Sequence, residues 1–149
     1  MKSSTATKVK DIERDWYLVD LKDKVLGRIS TDIAKMLMGK SKSYYVRNLD
    51  CGDYVVVVNA REVKVTGNKE DQKKYYRHSG YPGGFREETF KKLMSRRPEE
   101  IIKHAVRGML PQNKLRDRLL KRLKIFADGQ HSYEDKFKKS EKKEDKGEN

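Results

Sequence analysis

Apolar positions along the chain change period several times, and each period predicts an element. Trp16-Tyr-Leu-Val-Asp20 is aromatic and β-branched and reads as a short strand. Ile29, Ile33 and Leu37 recur at every fourth position with Ala34 beside them, the stripe of an amphipathic helix. Gly39 is placed to end it as a left-handed cap. Tyr54-Val-Val-Val-Val-Asn59 is apolar without alternation, the pattern of a strand buried on both faces. Val63 and Val65 alternate around Lys64, and the turn residues Thr66-Gly67-Asn68-Lys69 follow.

The second half is mostly helical in pattern. Residues 73–78 read as extended, and the Gly/Pro-dense Ser79-Gly-Tyr-Pro-Gly-Gly84 as a loop. A helix is expected over residues 87–95, burying Phe90, Leu93 and Met94. Pro98 followed by Glu99 and Glu100 opens another, with Ile101, Ile102, Ala105, Val106 and Met109 as its buried stripe and Pro111 beyond its end. Leu115, Leu119 and Leu123 recur at helical spacing, and Lys114, Arg118 and Arg122 repeat on another face. Residues 124–126 read as a final strand. Strand, helix, strand and then several helices imply α/β layers with some parallel pairing.

Charge sharpens this reading. The chain has 149 residues, of which 35% are hydrophobic and 40% charged, and it carries a net charge of +13. One domain is expected over residues 16–133, between an extension (1–15) and a tail (134–149). The tail alternates Lys with Glu and Asp and is neutral as a whole; with Phe137 its one large apolar group, it is expected to be disordered. The extension contributes only one net positive charge, so the excess belongs to the domain itself. A fixed surface with that excess suits a polyanion, first of all a nucleic acid. Cys51 is the single cysteine, which excludes an internal disulfide. The longest apolar run, residues 54–58, falls far short of the roughly 18 residues that read as a membrane span. The first fifteen residues lack the apolar core of a secretory signal, and a reducing, intracellular setting is expected.

Motifs for catalysis are weak. Gly39-Lys40-Ser41 ends like a phosphate-binding loop, but Ala34 stands where the first glycine is needed, and the motif follows a helix C-terminus, the wrong end of the dipole for phosphate. His78, His104, His131 and Cys51 lack metal-ligand spacing. Asp50 and Asp53 flank Cys51-Gly52 and read as turn formers. No cofactor and no small-molecule substrate are expected.

Two basic stretches stand out. Residues 69–86 interleave Lys73, Lys74, Arg77 and Arg86 with Tyr75, Tyr76, Tyr81 and Phe85 over the glycine loop. Cations neutralise phosphates, rings stack on unpaired bases, and glycines let backbone N–H groups approach a phosphate. His78, beside the loop, can stack, donate to a phosphate or simply pack the loop. Residues 114–124 hold six bases (Lys114, Arg116, Arg118, Lys121, Arg122, Lys124) against one acid, Asp117, on a segment that a leucine stripe would anchor. The candidate RNA-binding set is Lys40, Lys42, Lys69, Lys73, Lys74, Tyr76, Arg77, His78, Gly80, Gly83, Gly84, Arg86, Lys114, Arg116, Arg118, Lys121, Arg122 and Lys124.

Taken in order, Trp16-Tyr-Leu-Val-Asp, Leu26-Gly-Arg-Ile-Ser, Gly52-Asp-Tyr-Val-Val-Val-Val-Asn-Ala60, Val65-Thr-Gly-Asn-Lys69, Tyr76-Arg-His-Ser-Gly-Tyr-Pro-Gly-Gly84 and Val106-Arg-Gly-Met-Leu-Pro111 resemble one family closely. It is that of the bacterial-type large-subunit ribosomal protein thirteen. The resemblance runs from about Trp16 to Phe126. It implies a three-layer α/β/α fold with a four-stranded, mainly parallel sheet. It also implies a non-enzymatic constituent of the large ribosomal subunit, binding its rRNA and neighbouring ribosomal proteins and supporting early assembly; with no Arg-rich, acid-poor presequence in view, bacterial cytoplasm is expected rather than an organelle. Its RNA-facing positions map onto Lys69, Arg77, His78, residues 80–84 and residues 114–124. The chain departs from the family at Leu115-Arg116-Asp117, where a Leu-Gly-Arg is usual, and after Gly129. An off-ribosome RNA-binding regulator is the competing expectation.

Overall fold

The computed structural model describes residues 7–137. In chain order its main elements are β1 (Trp16–Asp20), α1 (Leu26–Met38), β2 (Tyr54–Val58), α2 (Lys69–Gln72), β3 (Lys74–His78), β4 (Phe85–Thr89), α3 (Phe90–Arg96), α4 (Pro98–Met109), α5 (Arg116–Lys121) and β5 (Leu123–Ile125).

β2 is the middle of a parallel three-stranded sheet of order β1-β2-β5. That position explains its unbroken valines. Val55, Val56 and Val57 are all fully buried although successive side chains point to opposite faces. Val55 and Val57 join Val19 and Leu123 in a core that includes Ile33 and Leu37 of α1 and Ile101, Ile102 and Val106 of α4. Burying each such side chain contributes about 1.5–3 kcal/mol.

A cluster of rings gathers where β1 and β2 begin. Trp16 stacks on Tyr54, its partner in register, at 4.3 Å and 6°. Tyr133 lies 5.3 Å from the same indole, and Phe137 meets it edge-on at 6.4 Å. Residues 134–137, the first of the tail expected to be disordered, form a helical turn. Residues 138–149, the rest of that tail, lie outside the described residues.

Several sequence expectations change here. The parallel sheet has three strands, not four. The chain at Val63–Val65 follows a 3-10 turn at Ala60–Glu62, and only Lys64 bridges Val25. The extended segment expected at residues 73–78 is β3, which pairs with β4 as a separate antiparallel ribbon. The expected helix at 87–95 starts later, because Phe85–Thr89 is strand and only Phe90 onward turns helical. Finally, the leucine stripe at 115–123 is not one helix. α5 ends at Lys121, and Leu123 reaches the core as part of β5. Met109 is also exposed, since Leu110 takes the buried place at the end of α4.

The connection from α1 to β2 is drawn tightly against the core. Gly39 caps α1 in the left-handed conformation (φ 73°), its N–H donating to the carbonyls of Lys35 and Met36. Residues 40–53 then return beneath it without regular structure.

Candidate nucleic-acid interface

The β3–β4 ribbon projects the first basic stretch into solvent. Tyr-rich β3 suits an extended backbone, and the turn closes through Gly80 and Gly83, both at positive φ (86° and 72°). Ser79 N–H donates to Gly84 O at 3.2 Å, and Gly84 N–H to Tyr81 O at 2.9 Å. His78 Nδ1 accepts the Gly80 N–H at 2.9 Å, so His78 organises the loop while its ring stays exposed.

Register sorts the ribbon into two faces. On one, Tyr76 and Phe85 stack at 5.7 Å and 22°, though they are 63% and 58% exposed. Tyr81, at the tip, is 76% exposed. A bare stacked pair on a basic ribbon has the geometry on which unpaired bases can stack. On the other face Arg77 lies directly opposite Arg86. Both are exposed, and neither has a carboxylate partner among the described residues. Like charges in direct register oppose pairing, and a bridging phosphate would relieve them. Lys74 is different, because Glu87 neutralises it at 3.1 Å.

Lys69 and Lys73 lie at either end of α2, both exposed. Tyr75 turns inward, half-buried, and burial pushes its phenol above the ordinary value. Its ring lies 5.5 Å from that of His104 on α4.

The second basic stretch divides. Lys114, Arg118 and Lys121 are exposed on and beside α5, while Leu119 on its opposite face is buried. Arg116 and Lys124 are half-buried. Arg122 does not belong to an exposed cationic face. It is 7% exposed, and both Nη atoms donate to the carboxylate of Asp50, with Nη2 also 3.5 Å from Leu37 O. The reason is geometric: Arg122 is the C-cap of α5, where the chain turns inward to become β5. Burial alone would raise the Asp50 carboxyl, but the hydrogen bonds and charge of Arg122, with the charge of Arg14, hold it below its ordinary value.

At the end of α1, Lys40 is exposed. Lys42 is not free: its Nζ pairs with the buried Asp53 and donates to Glu13 O at 2.5 Å. Desolvation works against its charge, and Asp53 more than restores it, leaving Lys42 above its ordinary value. Asp50 and Asp53 thus prove to be charge partners for Arg122 and Lys42. Sequence reading missed both pairs, and it also missed the outward stack of Phe85 on Tyr76, which needs the strand register.

Among the described residues no group of three or more His, Cys, Asp or Glu side chains could hold a metal ion, and no helix is long and apolar enough to cross a membrane.

The family profile described as Ribosomal protein L13 matches residues 14–132. The chain belongs to the ribosomal protein L13 family. It is 52% identical over 126 residues to the large ribosomal subunit protein uL13 of Dehalococcoides mccartyi, covering 85% of this chain and 88% of the relative. It is 51% identical to the uL13 of Hahella chejuensis over 133 residues (89% and 93%) and 49% to that of Geobacter sulfurreducens over 134 (90% and 94%). The span matched to the L13 family begins at Arg14, which donates to the Gly52 and Asp50 carbonyls at 2.7 and 3.1 Å. It closes just before Tyr133 and Phe137, two of the rings that pack on Trp16.

Proposed function

We propose that this protein is a structural constituent of the large ribosomal subunit in the cytoplasm, binding large-subunit rRNA through fixed basic surfaces and supporting early assembly and translation. No bond is made or broken in this role. Phosphates are neutralised, bases are stacked on, and RNA segments are held in place. Residues 16–133 act as the RNA-binding domain, and neighbouring ribosomal proteins complete the surroundings.

The observation that carries the RNA-binding reading is the Arg77–Arg86 pair, two unneutralised guanidiniums in direct register beside an exposed aromatic stack. A chain folding for itself alone gains nothing from that arrangement; an RNA strand uses both parts. The glycine loop at residues 79–84, Arg118 and Lys121 of α5, Lys114 before it and Lys40 past α1 extend the cationic surface. Arg122 and Lys42 support that surface from within.

Sucrose-gradient sedimentation of a tagged copy, with a high-salt wash of the subunit fractions, tests the role. Retention in the large subunit through the wash is expected. Recovery as free protein bound to other RNA would overturn the subunit role and favour an RNA-binding regulator working off the ribosome.

A further inference from the structure

Most residues of the candidate RNA-binding set lie on the ribbon and on α5. One cleft lies behind the ribbon. It has a volume of about 490 Å³, within the ~300–1,000 Å³ range of small-ligand sites. Its floor is apolar, with Val25, Leu26, Val65 and Ala105, and the Tyr75 and His104 rings form one wall. Three cations, Arg28, Lys69 and Lys73, stand at it, and no carboxylate lines it.

That charge balance differs from the surroundings. Lys64 pairs with Asp23 at 2.5 Å, Lys74 with Glu87, Lys91 with Asp71, and Arg96 with Glu88 at 2.7 Å. Among the described residues Arg28, Lys69 and Lys73 have no ion-pair partner, and the Lys73 ammonium rests 5.4 Å from the centre of the Tyr75 ring. Gly27 leaves open space where a side chain would stand, so the cleft stays open toward the backbone. An apolar slot walled by rings, with cations around it and no acid, suits a planar base joined to a phosphate.

We infer that the cleft of Arg28, Lys69, Lys73, Tyr75 and His104 receives one unpaired nucleotide of a bound RNA strand, its base against the two rings and its phosphate between the lysines. This rests on the RNA-binding reading above and deepens it. The base must be splayed from its neighbours, since bases paired in a helix do not present their faces to such a slot. A free nucleotide shares the chemistry. The strand is the favoured source because Lys73 is followed directly by β3, and a strand crossing Arg77 and Arg86 passes close to the cleft.

The test is photo-cross-linking of the full chain to cognate large-subunit rRNA transcribed with 4-thiouridine, with the cross-linked peptides and nucleotides mapped by mass spectrometry and primer extension. Expected are cross-links at Tyr75 or His104 to an unpaired uridine. They should be lost in the double variant Lys69→Gln/Lys73→Gln, whose rRNA binding falls about ten-fold while its melting curve stays that of the wild type. Arg77→Gln/Arg86→Gln should weaken binding yet keep the cleft cross-link. Cross-links confined to Tyr76, Tyr81 and Phe85, with binding unchanged in the lysine variant, would overturn the cleft assignment and leave the RNA-binding reading standing; the cleft would then be open to another occupant, such as an acidic protein segment. Equal labelling of Tyr75 by 4-thiouridine monophosphate alone would overturn the strand as the source. No rRNA binding at all would sink the RNA-binding reading itself.

Discussion

Arg122 grips Asp50 with both Nη atoms across 72 positions of sequence, tying the end of α5 to the irregular connection between α1 and β2. Arg14 joins from the other side, its Nη1 3.6 Å from the Asp50 carboxylate. A basic residue in a strongly basic segment is thereby spent on the fold. Its neighbour Arg118, four positions earlier, is exposed and has no acid partner among the described residues. The two arginines should respond oppositely to charge reversal. Arg122→Glu sets two carboxylates against each other in a partly buried site, and removing one partner of a fully buried pair costs about 3–5 kcal/mol, an upper bound here. Arg118→Glu should leave the melt near that of the wild type and weaken rRNA binding. Thermal melts with filter binding on each variant check both; an unchanged Arg122→Glu melt would show that the pair does not hold the connection.

Acid should reveal the same pair. Asp50 is held below its ordinary value in the folded protein. Its contribution is therefore fully present above the unfolded carboxyl value, about 3.9, and is lost as pH falls through the lower, folded value. In Asp50→Asn that contribution is absent at every pH. The stability gap between wild type and Asp50→Asn should be widest near neutral pH and close below about pH 4. Urea unfolding across that range measures it. A gap that stays constant would mean the carboxylate charge is not what stabilises the connection.

What could be read from the sequence was local. The valine run of β2, the apolar stripe of α1 and the Gly39 cap each lie within a few residues, so periodicity and propensity were enough. The ribbon loop was legible for the same reason, its glycines marking a turn. What escaped was set by contacts at long range. Arg122 repeats with Lys114 and Arg118 at helical spacing, and nothing nearby in sequence says that α5 stops one residue before it. Lys42 reads as a helix-end cation until Asp53 is seen against it. The Tyr75–His104 wall joins a strand to a helix 29 positions later, as the two residue numbers show. Phe137 looked like an isolated ring in a charged tail, and it is Trp16, at the other end of the chain, that gives it a place to pack.

Packing predicts a sharp contrast between two small substitutions. At Gly52 a Cβ would lie 1.6 Å from Leu37 O, a backbone atom that cannot step aside. At Gly108, within α4, a Cβ meets nothing within 4 Å. Gly52→Ala should therefore fail to fold or melt far below the wild type. Gly108→Ala should be stabilising by about 0.5–1 kcal/mol, the backbone entropy a helix recovers from alanine. Leu119→Ala, at a site 4% exposed, should cost about 2–5 kcal/mol. Chemical denaturation of the three variants orders them; a Gly52→Ala melt like that of the wild type would mean the close approach of the two segments is not required.

The ribbon makes a prediction in which stability and function move in opposite directions. Arg77 and Arg86 face each other with no acid between them, and a directly opposed like-charged pair is unfavourable by about 0.2–1 kcal/mol. Replacing either with Gln should raise the stability of the free protein slightly, most visibly at low salt, where charges are least screened. On the RNA-binding reading proposed above, the same change removes a phosphate contact. Affinity for rRNA should fall, and the slope of log affinity against log salt should become shallower by about 1. A variant that merely perturbed the fold would lower stability and affinity together. A variant that removed an idle surface charge would leave affinity alone. Only a pair held in repulsion for the sake of a polyanion gives a firmer protein that binds less tightly, and melting curves at two salt concentrations beside a salt titration of binding separate the three.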